Sequence, residues 1–264
     1  MIRITGGTKF FHKGSVNEVR ALHNLNLEVA DGDFVTVIGS NGAGKSTLLN
    51  GIAGGFFLDT GAISIGAQMV TRWPEYKRAR LIARVFQDPL LGTCPSATIE
   101  QNLALALRRG KRRGLGPGVS VRDRGRFRQE LEKIGLGLER RLSDRVGLLS
   151  GGQRQALTML MATLVKPEVL LLDEHIAALD PKTAVQILNL TNEIVEAQAL
   201  TTLMITHNMQ HAISFGNRLI MLHQGAIILD ISGTRKKELA VEDLLDQFYR
   251  AQGEALATDA MLLT

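Results

Sequence analysis

The chain has 264 residues, 31 Lys+Arg against 26 Asp+Glu, a net charge of +5 and a pI near 9.6. A hydrophobic content of 45% with 22% charged residues suits a folded domain with a sizeable core and excludes a disordered chain. The single cysteine, Cys94, excludes an intrachain disulfide and a multi-cysteine metal cluster, and the longest uncharged apolar run, 156–165, is well short of the ~18 residues that span a bilayer.

Residues 1–14 hold no apolar core of signal-peptide length. Strands are then expected at 25–29 and 34–38, a helix at 45–54, and strands at 62–65 and 81–86. From about 88 to 149 the strand signal weakens, and helices are expected at 99–109 and 124–134. A helix at 152–166, a strand at 169–173, a helix at 181–197, a strand at 201–206 and a helix at 208–215 follow. Two strands, 218–222 and 226–230, and a helix at 238–252 complete the pattern. Strand–helix alternation of this kind implies an α/β fold with a mainly parallel sheet. The interrupted stretch reads as a helical lobe, about 88–160, inserted into a domain covering 1–252, with 253–264 a frayed tail.

Phe34-Val-Thr-Val-Ile38 runs into Gly39-Ser40-Asn41-Gly42-Ala43-Gly44-Lys45-Ser46, and Thr47 starts a helix. This is G-x-x-x-x-G-K-[ST] in its strand–loop–helix setting. The glycines let successive N–H groups converge on one point, and the helix N-terminus adds positive potential there. Lys45 would reach the β- and γ-phosphates of a nucleotide and the Ser46 hydroxyl a Mg²⁺ ion. A second element, Val169-Leu-Leu-Leu-Asp173-Glu174, ends an apolar strand in two carboxylates. Asp173 would serve the metal and Glu174 would accept a proton from the attacking water. Taken alone, this pair also reads as acidic residues at a helix start. Leu149-Ser150-Gly151-Gly152-Gln153 lies between the two, opening an apolar helix; it offers a phosphate-binding surface or a plain N-cap.

These motifs, in this order, make the chain resemble the ATP-binding subunit of an ABC transporter from about Phe10 to Leu245. Residues 39–46 look like Walker A, Gln87 like the Q-loop glutamine, and 149–153 like the LSGGQ signature. Residues 169–173 look like Walker B with Glu174 as the catalytic carboxylate, Ala178-Leu-Asp180 like the D-loop, and His207 like the switch histidine. The resemblance implies a P-loop (RecA-like) core with an N-terminal antiparallel β subdomain and an inserted helical subdomain. It also implies ATP with Mg²⁺ as ligands, a homodimer with two sandwiched ATP molecules, and docking on integral-membrane permease subunits at the cytoplasmic face. In the sandwich, Walker A of one copy holds ATP and Ser150, Gly151 and Gly152 of the other cap its γ-phosphate. His207 would stabilise transition-state charge, and Gln87 would touch metal or water. Phe11 would stack on adenine, while Phe10 reads as core.

Proline is usual after the catalytic glutamate; here it is His175, whose ring either tunes the base or fills the loop. His175, with 86–93 and the stretch from Asn102 through Arg109-Gly-Lys-Arg-Arg-Gly, is similar to bacterial importers of the tryptophan/tyrosine uptake group, which have a separate extracytoplasmic binding protein. An exporter ATPase, or a soluble relative in cofactor assembly, on the ribosome or in DNA repair, stays open at this point. The charge has an address: nine basic residues and one acid between 108 and 128, while the other 243 residues sum to −3. That concentration argues against a nucleic-acid face and suggests either an arm toward anionic lipid or an acidic permease loop, or a solvated surface.

Overall fold

The computed structural model describes residues 1–111 and 118–262, with side chains at 252 and 254–262 excepted. The chain forms two compact units, Met1–Pro74 with Leu203–Thr264, and Glu75–Thr202.

In the first unit, β1 (Ile2–Phe11) pairs antiparallel with β2 (Val19–Val29) and β4 (Thr60–Ile65), and β5 (Gln68–Met69) closes a sheet of order β2-β1-β4-β5. Strand β1 escaped the sequence reading because Gly6-Gly7 breaks its alternation. The register shifts there, and a Cβ on Gly7 would meet the Ile4 methyl at 2.8 Å. A second set of strands, β10-β9-β3-β8, comprises β3 (Phe34–Gly39), β8 (Thr202–Ile205), β9 (Arg218–His223) and β10 (Ala226–Ser232). Strands β3 and β9 are parallel; β9 and β10 are antiparallel. The first unit also holds α1 (Lys45–Ala53), α7 (Met209–Ser214), α8 (Thr234–Lys237) and α9 (Val241–Leu262). Leu244 of α9 is fully buried against Ile38, Ala212, Leu219 and Met221. Helix α9 runs on through most of the segment expected as a tail.

The second unit pairs β6 (Ile82–Val85) in parallel with β7 (Val169–Asp173), from Ile82 opposite Val169 to Val85 opposite Leu172. Val169, Leu170, Leu171 and Leu172 are completely buried, each worth about 1.5–3 kcal/mol of transfer free energy as an upper bound. Around them lie α2 (Glu75–Arg78), α3 (Ile99–Leu107), α4 (Val121–Ile134), α5 (Gly151–Thr163) and α6 (Pro181–Gln198). Ile99, Leu103, Phe127, Leu131, Leu157 and Leu160 make a separate helical core, so the stretch with weak strand signals is helical. Reciprocal capping boxes fix three helix starts: Thr98 with Gln101, Ser120 with Asp123 and Ser150 with Gln153. Each removal costs ~1 kcal/mol.

Part of the basic stretch is a clamp. Arg109 donates to the carbonyls of Ala162 and Val165, and Arg126 donates to that of Leu164, so both cover the negative end of α5. Arg124 pairs with Glu100 at 2.7 Å. Arg112 and Arg113 lie outside the described residues. The suggested lipid-facing arm therefore shares its arginines with fold maintenance.

Candidate functional site

The phosphate-type loop is built by close backbone approach. Gly39 ends β3 at φ 149°, opposite Leu222, and a Cβ there would sit 2.2 Å from the Leu222 carbonyl oxygen. Gly44, at φ 100°, caps α1, and its Cβ would meet the Ala21 carbonyl at 2.5 Å. No larger residue fits either position without moving backbone. Gly225 N–H donates to the Ala43 carbonyl at 3.0 Å, clasping the loop from the β9–β10 turn. Asn41 and Gly42 form the exposed tip, Ser46 is exposed at the start of α1, and Thr47 is half-buried. Lys45 is 5% exposed, and its ammonium donates to the carbonyls of Gly39 and Ser40, both at 2.8 Å. The loop thus curls around its own lysine, with a helix N-terminus behind it. Such an arrangement offers converging donors to an anion.

His207 joins this end of the first unit. Thr206, just after β8, donates its N–H to the Val37 carbonyl at 3.2 Å. The exposed His207 therefore emerges beside the carboxyl end of β3, where the loop begins. Asn208 caps α7 through His211 N–H, so the helix-capping role falls to Asn208. Phe11 is 36% exposed at the end of β1, edge-to-face with Phe56 at 5.5 Å, with the Lys9 ammonium 5.5 Å from its centroid. Phe10 is half-buried beneath Lys13.

In the second unit the carboxyl ends of two parallel strands gather Gln87, Asp173 and Glu174. Gln87 is exposed two residues beyond β6, and Asp173 ends β7. Carboxyl ends of parallel strands are where open α/β sheets bind ligands. Glu174 takes a left-handed φ of 47°, and its carbonyl accepts the Ala177 N–H at 2.9 Å. A non-glycine residue with this backbone is uncommon, and it marks the turn by which the chain leaves the strand. Asp173 is paired with Arg84 at 2.6 Å, a partner 89 positions away that the sequence reading missed. The available signal was a lone cation inside the apolar run 81–86.

His175 is buried, and burial pushes its pKa down to about 4. Its Nε2 lies 3.2 Å from Thr191 Oγ1 on α6. The Thr191 hydroxyl donates to the Ile187 carbonyl at 2.8 Å, so the imidazole Nε2–H donates to it. The ring is a tether between the strand end and α6.

Ser150 accepts from Gln153 N–H at 3.2 Å, and Gln153 Oε1 accepts from Ser150 N–H at 3.3 Å and from Arg141. The N-cap reading of Ser150 is realised, and Gln153 is committed within its own chain. Gly151 is exposed. Gly152 is buried, and a Cβ there would meet the Thr183 methyl at 2.3 Å. Asp180 caps α6 through Thr183, whose side-chain and backbone hydrogen bonds hold its carboxyl below the usual range. The signature and the D-loop are therefore packed neighbours in one unit.

The ABC transporter family model matches residues 22–177. The tyrosine transport ATP-binding protein of Clostridioides difficile (strain R20291) is 46% identical over 251 residues, 95% of this chain and 100% of that protein. An Fe(3+) ions import ATP-binding protein of Rhizobium meliloti (strain 1021) is 35% identical over 210 residues, 79% of this chain, and this chain spans 50% of that protein's length. A solved dimeric ATP-binding cassette, in a post-hydrolysis state bound to ADP and Pi, matches with a TM-score of 0.75 at 30% identity, over 88% of this chain and 98% of that chain. The likeness bears out the expected P-loop core. With the motif order and local geometry already described, these matches identify the chain as a member of the ABC transporter family, an ATP-binding and ATP-hydrolysing cassette.

Proposed function

We propose that this cassette energises an importer of amino acids of the tyrosine and tryptophan class. The observation that carries the proposal is the 46% identity to a tyrosine transport ATP-binding protein across the full length of that relative.

In this reading, residues 39–47 hold the triphosphate, with Lys45 moving its ammonium from the Gly39 and Ser40 carbonyls onto the β- and γ-phosphates. Phe11 stacks on adenine. Glu174, at the left-handed turn that ends β7, takes the proton of the attacking water. His207 and Gln87 contact the γ-phosphate and the water from the ends of their strands. Ser150, Gly151 and Gly152 of a second copy close the site, with Asp180 beside them, so that ATP joins a homodimer. The chain covering 1–252 acts as one ATP-binding domain, with its helical subdomain at about 88–160 meeting the permease.

The donors suit Mg²⁺. A hydroxyl (Ser46), a carboxylate (Asp173) and an amide oxygen (Gln87) are hard oxygen ligands, and among the described residues no group of three His, Cys, Asp or Glu could hold a metal by itself. Mg²⁺ is commonly held by one or two carboxylates plus substrate phosphates, retaining several waters. When bound, it would neutralise phosphate charge.

No described helix is long and apolar enough to cross a membrane. In the proposed transporter the cassette docks on integral-membrane permease subunits at the cytoplasmic face, and an extracytoplasmic binding protein delivers the amino acid. Co-expression with the neighbouring transport genes, purification of the complex and reconstitution in vesicles tests this. Tyrosine or tryptophan with the binding protein should stimulate ATP hydrolysis; stimulation by no amino acid would overturn the substrate assignment.

A further inference from the structure

Asp173 is held by a cation of its own unit. Arg84 sits on β6 opposite Leu171 of β7, and Asp173 is two residues further along β7, on the same face as Leu171. From there the guanidinium reaches diagonally to Asp173 Oδ2 at 2.6 Å, and both side chains are only 15% exposed. The guanidinium carbon also lies 4.6 Å from the centroid of Phe86, the residue just past the end of β6 and immediately before Gln87. Arginine suits this place. It bonds a carboxylate with directional donors and stacks on an aromatic face.

We propose that Arg84 is a positioning residue that sets the metal affinity of the nucleotide site, which deepens the proposed function and rests on its assignment of Asp173 to Mg²⁺. One carboxylate oxygen is committed to Arg84, which fixes the rotation of the group and leaves the other oxygen for the metal or its water. The same cation opposes an incoming dication, because partial burial leaves little solvent to screen the two charges. The chain thus exchanges metal affinity for a fixed carboxylate.

The test replaces Arg84 by Met, which keeps an unbranched apolar stem without the charge, and by Lys, which keeps the charge. Mn²⁺ binding to the full chain with a non-hydrolysable ATP analogue is followed by electron paramagnetic resonance, and ATPase rate is followed against Mg²⁺. For R84M the half-saturating metal concentration should fall about five- to ten-fold, from loss of one close positive charge, while the maximal rate falls. R84K keeps the charge and should stay within about two-fold of the unsubstituted chain in metal affinity, while its maximal rate falls because an ammonium lacks the planar fork that fixes the carboxylate. If R84M does not fold, R84Q carries the same measurement. D173N separates the two layers. Weakened Mn²⁺ binding in D173N, together with unchanged binding in R84M, would overturn the role of Arg84 alone. Unchanged binding in D173N would overturn the assignment of Asp173, and the Arg84 proposal with it. R84K matching R84M in metal affinity would also overturn the charge argument.

Discussion

Replacing Gly152 by alanine adds one methyl group to the signature motif at a place where the chain's own packing leaves none. The new Cβ would lie 2.3 Å from the Thr183 methyl, whereas its next contacts on Thr183 are at 3.7 and 3.9 Å. Ordinary carbon contacts begin near ~3.5 Å, so the starts of α5 and α6 must part by about 1 Å or Thr183 must leave its rotamer. Overpacking of this kind costs about 1–3 kcal/mol. The helical preference of Ala over Gly returns about 0.5–1 kcal/mol, leaving a net loss of ~1 kcal/mol at mid-range and up to about 2.5 kcal/mol. In a chain of this size the mid-range loss lowers the thermal midpoint by about 2–4 °C. Thermal unfolding of the isolated cassette, monitored by circular dichroism, measures it. T183S removes the methyl and keeps the hydroxyl, so G152A/T183S should regain the midpoint and exceed that of T183S alone. A G152A midpoint equal to that of the unsubstituted chain, or no rescue by T183S, would refute the packing argument.

Gly151 behaves oppositely: it is exposed, and a Cβ there meets only Leu179 at an ordinary 3.4 Å. G151D should therefore fold normally, bind ATP as a monomer and fail to dimerise, as sedimentation would show; normal dimerisation would contradict a γ-phosphate contact at this residue. K45A should lose nucleotide affinity in calorimetry and also destabilise the loop, because the Gly39 and Ser40 carbonyls lose the ammonium that now binds them. His175 supplies a pH dependence. Its folded pKa of about 4 lies below the ordinary 6.5. Between those values the unfolded chain binds a proton that the folded chain refuses, so stability is full above the upper value and falls as pH drops through the window. The slope is ~1.4 kcal/mol per pH unit, a loss of ~3 kcal/mol in all. Urea titrations with chelator and no nucleotide should show this loss for the unsubstituted chain between about pH 7 and about pH 4 and its absence in H175Q; equal slopes would contradict a buried neutral imidazole.

Much of this was legible locally. The phosphate loop announces itself because its chemistry is a spacing: glycines at fixed offsets between a buried strand and a helix. The structure adds why Gly39 and Gly44 are glycines, namely the Leu222 and Ala21 carbonyls pressed against them. Strand β7 was legible to the residue, since a fully buried strand is a continuous apolar run. Strand β1 was not, because Gly6-Gly7 interrupts its period. The Arg84–Asp173 pair was invisible because partners 89 positions apart leave no local pattern. His175 looked like a loop residue because nothing near it in sequence signals burial; Thr191, its partner, is 16 positions on. Arg109 and Arg126 looked like a charged surface, yet they end on carbonyls of α5, a use of arginine that composition cannot separate from solvation.

The central claim is that two copies of this cassette close on ATP and that Glu174 opens them again by hydrolysis. Sedimentation velocity of E174Q with ATP and Mg²⁺ tests it directly. The variant should accumulate as a dimer with one ATP retained per copy, while the unsubstituted chain returns to monomer as ATP is consumed. E174Q that binds ATP and remains monomeric, or that hydrolyses ATP at the unsubstituted rate, would contradict the claim.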